Sequence, residues 1–403
     1  MSDHSCFRLP RSRGEWIVTV IVAGLLAGWA ISLPAWLNRR AFPHLPVAAV
    51  FAPFPQPWDA VLLSAAALCL AIAALTPDRR LPLGLACGAG VLLALQDQTR
   101  WQPWFYQYLL MLALAAAAKS RNSPALPAAW RLFMVATYFW SGVHKLGPGF
   151  DHLFERAFVQ SLAGKWPDWA VSALGNSVSM VPWTEIGIAL ALCFRRLRSA
   201  GVVAAVGMHL FLLLLIGPAG TGTNAVVWPW NAVMPVLVIL LFRRVSACGW
   251  ESLTAREFRV PGLILGFLVT VPPVLSRFGN WDRYLAFQMY SGTDRRLMIV
   301  MDEPAAAALP AEWRKYLQQS AADPALRELR FMEWSLAELR LPLPSDERLL
   351  TALGRRCAGL DFVRAGRVFF YTDFAFLLKE RGWDMYSPEE MRGMKHIPPL
   401  RRK

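Results

Sequence analysis

The chain has 403 residues, of which 55% are hydrophobic and only 17% are charged. Soluble domains carry nearer a quarter of charged residues, so this composition excludes a typical water-soluble enzyme and also a disordered or fibrous chain. The formal net charge of +14 comes mainly from arginines between apolar segments, which is typical of membrane topology and not of nucleic-acid binding. We therefore predict an integral membrane protein that has the lipid bilayer as its environment and no nucleic-acid partner.

Charge density divides the chain into two parts. Residues 1–275 carry 32 Lys, Arg, Asp and Glu residues, whereas the much shorter segment 276–403 carries 38. We predict an all-α polytopic transmembrane domain over 1–275, followed by a small α+β soluble domain over 276–403.

The first part contains nine apolar segments, each a candidate for one transmembrane helix. About 20 apolar residues are needed to span the hydrocarbon core, and the third, fourth and ninth segments are shorter, so one of the nine is alternatively re-entrant or interfacial. The segments are Trp16–Leu33, Trp58–Leu75, Leu81–Leu95, Trp104–Ala118, Leu126–Val143, Ala173–Phe194, Ser199–Gly217, Val226–Phe242 and Val260–Leu275.

The basic residues in the connecting segments predict an orientation. With a cytoplasmic N-terminus, the inside segments hold 14 Lys and Arg residues and the outside segments hold 6. An odd number of crossings then places the C-terminal domain outside the cytoplasm, on a protein of the cell's inner membrane. The first apolar segment also resembles a signal peptide, but it is long and no small-x-small cleavage site follows, so we expect an uncleaved anchor.

Cysteine and histidine spacings argue against two classes of site. The six cysteines form no Cys-x-x-Cys pair, and only Cys357 lies in the C-terminal domain, which disfavours a dithiol oxidoreductase. The six histidines show no paired ligand spacing, so no metal site is predicted.

The C-terminal domain shows a mixture of strand and helix patterns. Ser345 is expected to cap its helix, Arg348 to lie on the polar face of that helix, and the end, Met394–Lys403, to be loose. We predict strands at Leu297–Met301, within Leu329–Leu341 and at Arg367–Thr372, and helices at Leu309–Gln319 and Ser345–Ala358.

Polar residues at the end of the fifth apolar segment form the first candidate site. Tyr138, Ser141, Gly142 and Lys145 share one helix face, and Gly142 allows a neighbouring backbone to approach closely. Lys145 either projects into a pocket, where burial would favour its role as a base, or extends towards the lipid headgroups.

Two further ionisable residues lie in the next two apolar segments. Glu185 follows Pro182, which we expect to disturb the helix, and is either protonated, paired or part of a proton path. Alternatively the helix starts near Met180 and Glu185 lies near the outer interface. His209 is either a proton carrier or ligand for a polar substrate, or a neutral side chain bonded to a neighbouring helix.

An uncharged, glycine-rich segment at 217–224 precedes a helix that Pro229 and Pro235 are expected to break. Its asparagines would supply hydrogen bonds, and its tryptophans either form pocket walls or belong to an interfacial belt. One outward-facing pocket would hold Lys145, His209, Asn224 and Asn231. Trp140, Trp228 and Trp230 are candidates for its aromatic walls, and Tyr138 is a further candidate binding residue.

Over Leu126–Phe242 the chain resembles the membrane module of vitamin K-dependent gamma-carboxylases and their bacterial relatives, the HTTM domain. Tyr138-Phe139, Ser141-Gly142 and Lys145-Leu146 are similar to the Tyr-Phe-x-small-Gly-x-x-Lys-Leu stretch of that family, with Glu185 and His209 in the two following spans. His144 departs from the animal enzymes, which carry a second lysine there, and the C-terminal domain is much shorter than theirs.

The resemblance implies a reduced, menaquinone-like quinone as cofactor and Lys145 as the general base that deprotonates it, with oxygen then forming an epoxide. Glu185 and His209 would be further catalytic residues. Two other functions stay open: a non-catalytic assembly factor whose external domain binds a protein partner, and a transporter with its site at the eighth span.

Overall fold

The computed structural model describes residues 12–76, 80–120, 123–245, 247–278, 280–292, 295–320, 323–358, 367–372 and 382–394. The membrane part is helical throughout, and the C-terminal part combines a sheet with short helices. The helices of the first part are α1 (Arg13–Ile31), α2 (Leu33–Trp36), α3 (Trp58–Leu75), α4 (Leu81–Leu95), α5 (Pro103–Ala117), α6 (Ala125–Lys145), α7 (Pro148–Phe154), α8 (Gln160–Leu162), α9 (Asp168–Ser177), α10 (Val181–Cys193), α11 (Arg198–Ile216), α12 (Trp228–Phe242) and α13 (Arg259–Arg277).

Each of the nine predicted apolar segments overlaps one or two of these helices. Among the described residues, five helices are long and apolar enough to cross a membrane, and α4 and α5 are shorter apolar helices. The five are Arg13–Ile31, Trp58–Leu75, Arg198–Ile216, Ala225–Phe242 and Arg259–Arg277. Large apolar side chains on their outer faces are left exposed, among them Leu68 at 62% and Val203 at 71%. A surface of this kind is suited to lipid contact, and the chain is a membrane-associated helical protein.

Helix α6 occupies the centre of the bundle. Most of its 21 residues are buried, and it packs against α5, α10, α12 and α13. Its C-terminal end carries Ser141, Gly142 and Lys145 in the interior of the protein. A polar cluster at this position lies inside the bundle and does not face lipid.

Two pairs of connecting segments contact each other. The Gln98 side chain donates to the Pro46 carbonyl oxygen at 3.2 Å. The Arg198 guanidinium donates to the Val245 carbonyl oxygen at 2.6 Å. These contacts join the segment before α5 to the segment after α2, and the start of α11 to the segment after α12.

The C-terminal part contains a five-stranded antiparallel sheet with the strand order β2-β3-β1-β4-β5. The sheet packs with buried helices into the same apolar core as the membrane part. Its elements are β1 (Arg295–Asp302), α14 (Glu303–Ala307), α15 (Ala311–Arg314), β2 (Leu317–Gln319), β3 (Leu326–Arg330), α16 (Phe331–Trp334), α17 (Glu347–Ala358), β4 (Arg367–Thr372), β5 (Gly382–Tyr386) and α18 (Pro388–Gly393).

The structure agrees with the predicted strands at β1 and β4 and with a helix at α17, on which Arg348 is exposed. The predicted helix Leu309–Gln319 was wrong in its second half, because its last three residues pair with β3 as an edge strand. Leu329–Leu341 is mostly helical, since its strand ends at Arg330. Ser345 is buried and precedes the helix start, and the Asp346 carboxylate accepts from the Arg348 amide instead. The last predicted segment, Met394–Lys403, lies outside the described residues except for Met394.

Glu338 fastens the C-terminal part to the loop that follows α2. Its two carboxylate oxygens accept from the backbone amides of Ala41 at 2.6 Å and Phe42 at 3.0 Å. The Phe42 ring also packs edge-on against Trp334, with 5.0 Å between ring centroids. The two parts therefore share one interface, on the side of the bundle where α6 and α13 end.

Candidate functional site

A cavity of about 110 Å³ lies between α6, α10, α11 and α12 and is also lined by the segment after α6 and by the loop after α13. Its wall is apolar except for a few polar groups, which come from four different helices. We call it the pair cavity, after the ion pair in its wall. Those polar groups are Thr137, Tyr138, Ser141, Lys145, Glu185, His209 and Asn231.

The Lys145 ammonium forms a buried ion pair with Glu185. Lys145 Nζ lies 2.9 Å from Glu185 Oε1 and 2.7 Å from Glu185 Oε2, and it donates to Ser141 Oγ at 2.5 Å. The two side chains are only 7% and 10% exposed. Lys145 therefore points into the protein, and the alternative of a lysine that extends to the lipid headgroups was wrong.

Gly142 is the reason that α6 and α10 come close enough for this pair to form. A Cβ atom at this position would lie 2.6 Å from the Pro182 carbonyl oxygen and 3.1 Å from the Glu185 Cβ. A real Cβ cannot occupy that space without a shift of the α10 backbone. The close approach expected from the sequence is present, and it brings Glu185 over the end of α6.

Replacing Gly142 by Val is expected to push α10 away and destabilise the protein by about 2 kcal/mol or more, the usual cost of overpacking a tight contact. Thermal unfolding in detergent would measure the loss. Gly207→Val is the matched control, because a Cβ at that exposed helical glycine meets nothing within 4 Å. Equal effects of the two substitutions would show that the α6–α10 contact is not under steric constraint.

A second polar group in the cavity wall is the hydrogen-bonded series Tyr138–His209–Asn231. Tyr138 Oη lies 2.8 Å from His209 Nε2, and His209 Nδ1 lies 2.9 Å from Asn231 Oδ1. Because the Asn231 amide nitrogen donates to the Val227 carbonyl oxygen, its own oxygen accepts from His209 Nδ1. His209 Nε2 is then the acceptor of the Tyr138 hydroxyl proton. The series fixes the orientation of the tyrosine hydroxyl at the cavity.

Trp230 lines the cavity, and a hydrogen bond from its indole to a neighbouring helix holds its ring in place. Its indole Nε1 donates to Gln107 Oε1 at 2.9 Å. The Gln107 amide nitrogen in turn lies 3.1 Å from the Met234 sulfur and 3.4 Å from the Met134 sulfur. The ring of Trp230 is thereby held in one orientation as a flat wall.

An aromatic wall that the sequence analysis overlooked comes from the segment after α6. Phe150, Phe154 and Phe158 all line the cavity. Their spacing of four residues places them on one helical face and was the available signal, although the segment is short and charged. Met289 and Tyr290 complete the lining from the loop between α13 and β1.

Three predicted pocket residues lie elsewhere. Trp140 donates to the Val269 carbonyl oxygen of α13, and Trp228 donates to the carbonyl oxygens of Ile216 and Thr223, so both indoles fasten neighbouring segments. The Asn224 side-chain amide donates to the Tyr290 hydroxyl at 2.7 Å. Asn224 therefore contacts a residue of the cavity wall without lining the cavity itself.

The prolines do not break helices as expected. Pro182 and Pro229 occupy the first turns of α10 and α12, where a missing amide hydrogen costs nothing, and α12 continues through Pro235. The sixth predicted span is interrupted instead before Val181, so α10 has 13 residues. The α-helix therefore begins at Val181, directly after Met180, and Glu185 is paired inside the protein.

Among the described residues, no group of three His, Cys, Asp or Glu side chains is placed to hold a metal ion. The residues that face the cavity are suited to a hydroxylated or otherwise polar ring: one ion pair, one oriented tyrosine and flat aromatic walls. Comparisons with protein-family models, with curated proteins and with solved structures find no match to this chain.

Proposed function

We propose that this protein binds a quinol, or a closely similar lipid-soluble phenol, in the pair cavity and removes a proton from its hydroxyl group. The observation that carries the proposal is the Lys145–Glu185 ion pair in the wall of an otherwise apolar cavity inside a membrane bundle. Burying two charges is costly, and the interior of a membrane protein keeps them mainly where they act on a ligand or a proton. The resemblance to HTTM proteins supports the same chemistry.

In the proposed step, Lys145 acts as the base through its partner. The ammonium gives its proton to a Glu185 oxygen, which lies 2.7 Å away, and the resulting amine accepts the proton of the quinol hydroxyl. The products are a quinolate, a Lys145 ammonium beside it and a protonated Glu185. One proton has moved from the quinol to the glutamate, and the positive charge of Lys145 stabilises the quinolate.

The other polar groups have positioning roles in this proposal. Tyr138, held by His209, would orient the second oxygen of the ring. Phe154 and Trp230 would pack against the faces of the ring. Asn231 keeps the His209 ring in one tautomer and so keeps the tyrosine hydroxyl in one direction.

The proposal includes the predicted topology. Nine crossings, a cytoplasmic N-terminus and an extracytoplasmic C-terminal domain in the cell's inner membrane would place the pair cavity near the outer surface. The contacts of Gln98 with Pro46 and of Arg198 with Val245 support this arrangement, because each joins two segments that nine crossings would place on the same side.

The test uses the purified full chain and Lys145→Met in detergent, each supplied with reduced menaquinone and oxygen. We expect the wild type to form quinone epoxide and Lys145→Met to form at least about a hundredfold less, because a positioned general base contributes about that much or more. Chromatography of the quinone products measures the reaction.

Lys165→Met is the matched control, because that lysine is exposed in the segment between α8 and α9. It should keep the wild-type rate. The absence of both epoxide and quinol-dependent thermal stabilisation in the wild type would refute the quinol function and favour the alternative, a membrane protein that binds an external protein partner.

A further inference from the structure

A cavity of about 170 Å³ lies between the sheet of the C-terminal part and the segment that follows α7. Among the described residues, it shares no lining residue with the pair cavity. Arginines from three different elements line it, together with a few apolar side chains and one glutamate. We call it the arginine cavity, and its three arginines are Arg156, Arg296 and Arg330.

The strand register places two of these arginines on the same face of the sheet. Met298 of β1 is directly opposite Arg330 of β3 in the antiparallel ladder, so their side chains share a face. Arg296 precedes Met298 by two residues on β1 and therefore lies on that face as well. Ile299 and Leu329, on the other face, are fully buried in the core. The sheet thus has one face that packs in the core and one face that carries arginines.

The third arginine, Arg156, comes from the π-helical turn that follows α7. Phe154 and Phe158, two residues before and two residues after it, line the pair cavity, so Arg156 lies on the other side of the turn. This segment is held close to β1, because Gly292 in the loop before β1 contacts the backbone of Gly149, and a Cβ at Gly292 would clash with the Gly149 carbonyl oxygen. The same loop structure that closes the pair cavity therefore brings the three arginines together.

The described charges around the arginine cavity leave an excess of positive charge. Arg330 is paired with Glu328, whose Oε2 accepts from Arg330 Nε at 2.7 Å and lies 2.6 Å from Nη2. Glu333 is the one acid among the described residues that line the cavity, and Arg156 and Arg296 oppose it. The cavity is therefore suited to a ligand with negative charge.

A phosphate group matches this arrangement better than a carboxylate. Guanidinium groups donate pairs of hydrogen bonds to phosphate oxygens, and three guanidiniums from three elements can approach a tetrahedral group from different directions. A planar carboxylate offers only two oxygens. Met298 and Met332, which also line the cavity, would contact the carbon atoms next to the phosphate.

The surroundings of Arg156 favour a membrane lipid as the source of the phosphate. Its π-helical turn packs against α9. Trp169 on α9 is 76% exposed, and Trp183 at the start of α10 is 58% exposed. Exposed tryptophans on membrane helices are typical of the headgroup level of a bilayer. Arg156 thus lies in the part of the protein that is suited to contact with lipid headgroups.

We propose that the arginine cavity binds the phosphodiester group of an anionic membrane lipid. Arg156 and Arg296 donate to its phosphate oxygens, and Arg330 contributes Nη1, the nitrogen that its pair with Glu328 does not use. The proposal does not depend on the quinol chemistry, because none of the three arginines lines the pair cavity.

The test uses the delipidated full chain in detergent. It is titrated with dihexanoyl phosphatidylglycerol, with dihexanoyl phosphatidylcholine and with inorganic phosphate, and calorimetry measures the affinities. We expect phosphatidylglycerol to bind at one saturable site and to bind more tightly than the other two ligands. Arg156→Gln and Arg296→Gln should each weaken this binding about tenfold or more, because each removes hydrogen bonds to a charged group. Arg355→Gln, at an exposed position on α17, is the matched control and should leave the affinity unchanged.

Glu333→Gln should act in the opposite direction. It removes the acid from the cavity lining and should tighten the binding of phosphatidylglycerol by about threefold, the effect of one partly exposed charge. A gain of affinity cannot result from misfolding. Thermal unfolding of each variant without added ligand shows whether its fold is retained.

Three outcomes would overturn the proposal. Phosphatidylglycerol binding that neither arginine substitution weakens would refute the site. Equal affinities for phosphatidylglycerol and phosphatidylcholine would refute the preference for an anionic lipid. Inorganic phosphate that binds as tightly as phosphatidylglycerol, and that loses affinity in the same variants, would make the arginine cavity a site for free phosphate and overturn the lipid assignment.

Discussion

Replacing Glu185 by Leu while Lys145 is retained is expected to lower the free energy of unfolding by about 3–5 kcal/mol, the usual cost of removing one partner of a buried ion pair. The ammonium would be left in a wall where both carboxylate oxygens now lie within 2.9 Å. The neutral hydroxyl and carbonyl oxygens of Ser141 would remain as acceptors, at 2.5 Å and 3.4 Å. Lys145→Met alone should cost a similar amount, since it leaves the Glu185 carboxylate without its cation.

The double variant Lys145→Met/Glu185→Leu should recover most of this loss. Two apolar side chains of similar volume remove both charges together, and such replacements are often neutral or stabilising. Denaturant titration of the four proteins in mixed micelles gives the coupling energy. Additive losses in the double variant would show that the two groups do not act as a pair.

The same four proteins separate a structural from a chemical role of the pair. A double variant that is stable but forms no epoxide supports the proposed function, because the pair is then dispensable for folding and required for the reaction. A double variant that is as unstable as either single variant would instead make the pair a structural requirement of the bundle.

Raising the pH from about 4 to above 6 is expected to destabilise the segment after α13 by roughly 3 kcal/mol through Asp282. Burial and, to a smaller extent, the negative charge of Asp346 raise the pKa of this carboxyl to about 6, against the opposing effect of hydrogen bonds from Leu285, Tyr284 and Tyr106. The folded protein therefore favours the protonated acid. Its contribution to stability is complete below the unfolded pKa of 3.8 and is lost as the pH rises through about 6.

Asp282→Asn should abolish this pH dependence and raise the stability above pH 7. The asparagine keeps an oxygen acceptor for the Leu285 amide, which Asp282 Oδ1 now binds at 2.7 Å. Thermal unfolding followed at pH 4 and pH 8 measures the effect. Asp323→Asn, at an exposed turn, is the control and should leave the difference between the two pH values as in the wild type.

The helical membrane part and two of the predicted strands could be read from hydropathy and charge because these patterns depend on one segment at a time. The shared face of Tyr138, Ser141, Gly142 and Lys145 follows from helical periodicity in the same way. Helical periodicity does not identify Glu185 as the partner of Lys145, because that contact depends on the residue at which α10 starts. That start is set by Pro182 in the first turn and not by the extent of the apolar sequence.

The remaining errors have a common cause in contacts between distant segments. Trp140 and Trp228 bind carbonyl oxygens of other helices, so their apolar context alone could not exclude a place in the pocket. Met289 and Tyr290 belong to a segment that looks like a simple linker, yet the tertiary structure places them in the cavity wall. Leu317–Gln319 has helical periodicity but supplies an edge strand, because β3 offers it a pairing partner.

The position of Met289 and Tyr290 has a consequence for biosynthesis. The ribosome makes α6, α10, α11 and α12 before it makes this loop, so these four helices exist while one wall of the pair cavity is still absent. The wall is supplied only when the chain has continued past α13, and Glu338 then holds the following part against the first loop. If the proposed function holds, a nascent protein cannot enclose its quinol until most of its length exists, and a chain that stops after α13 has a cavity without this part of its wall.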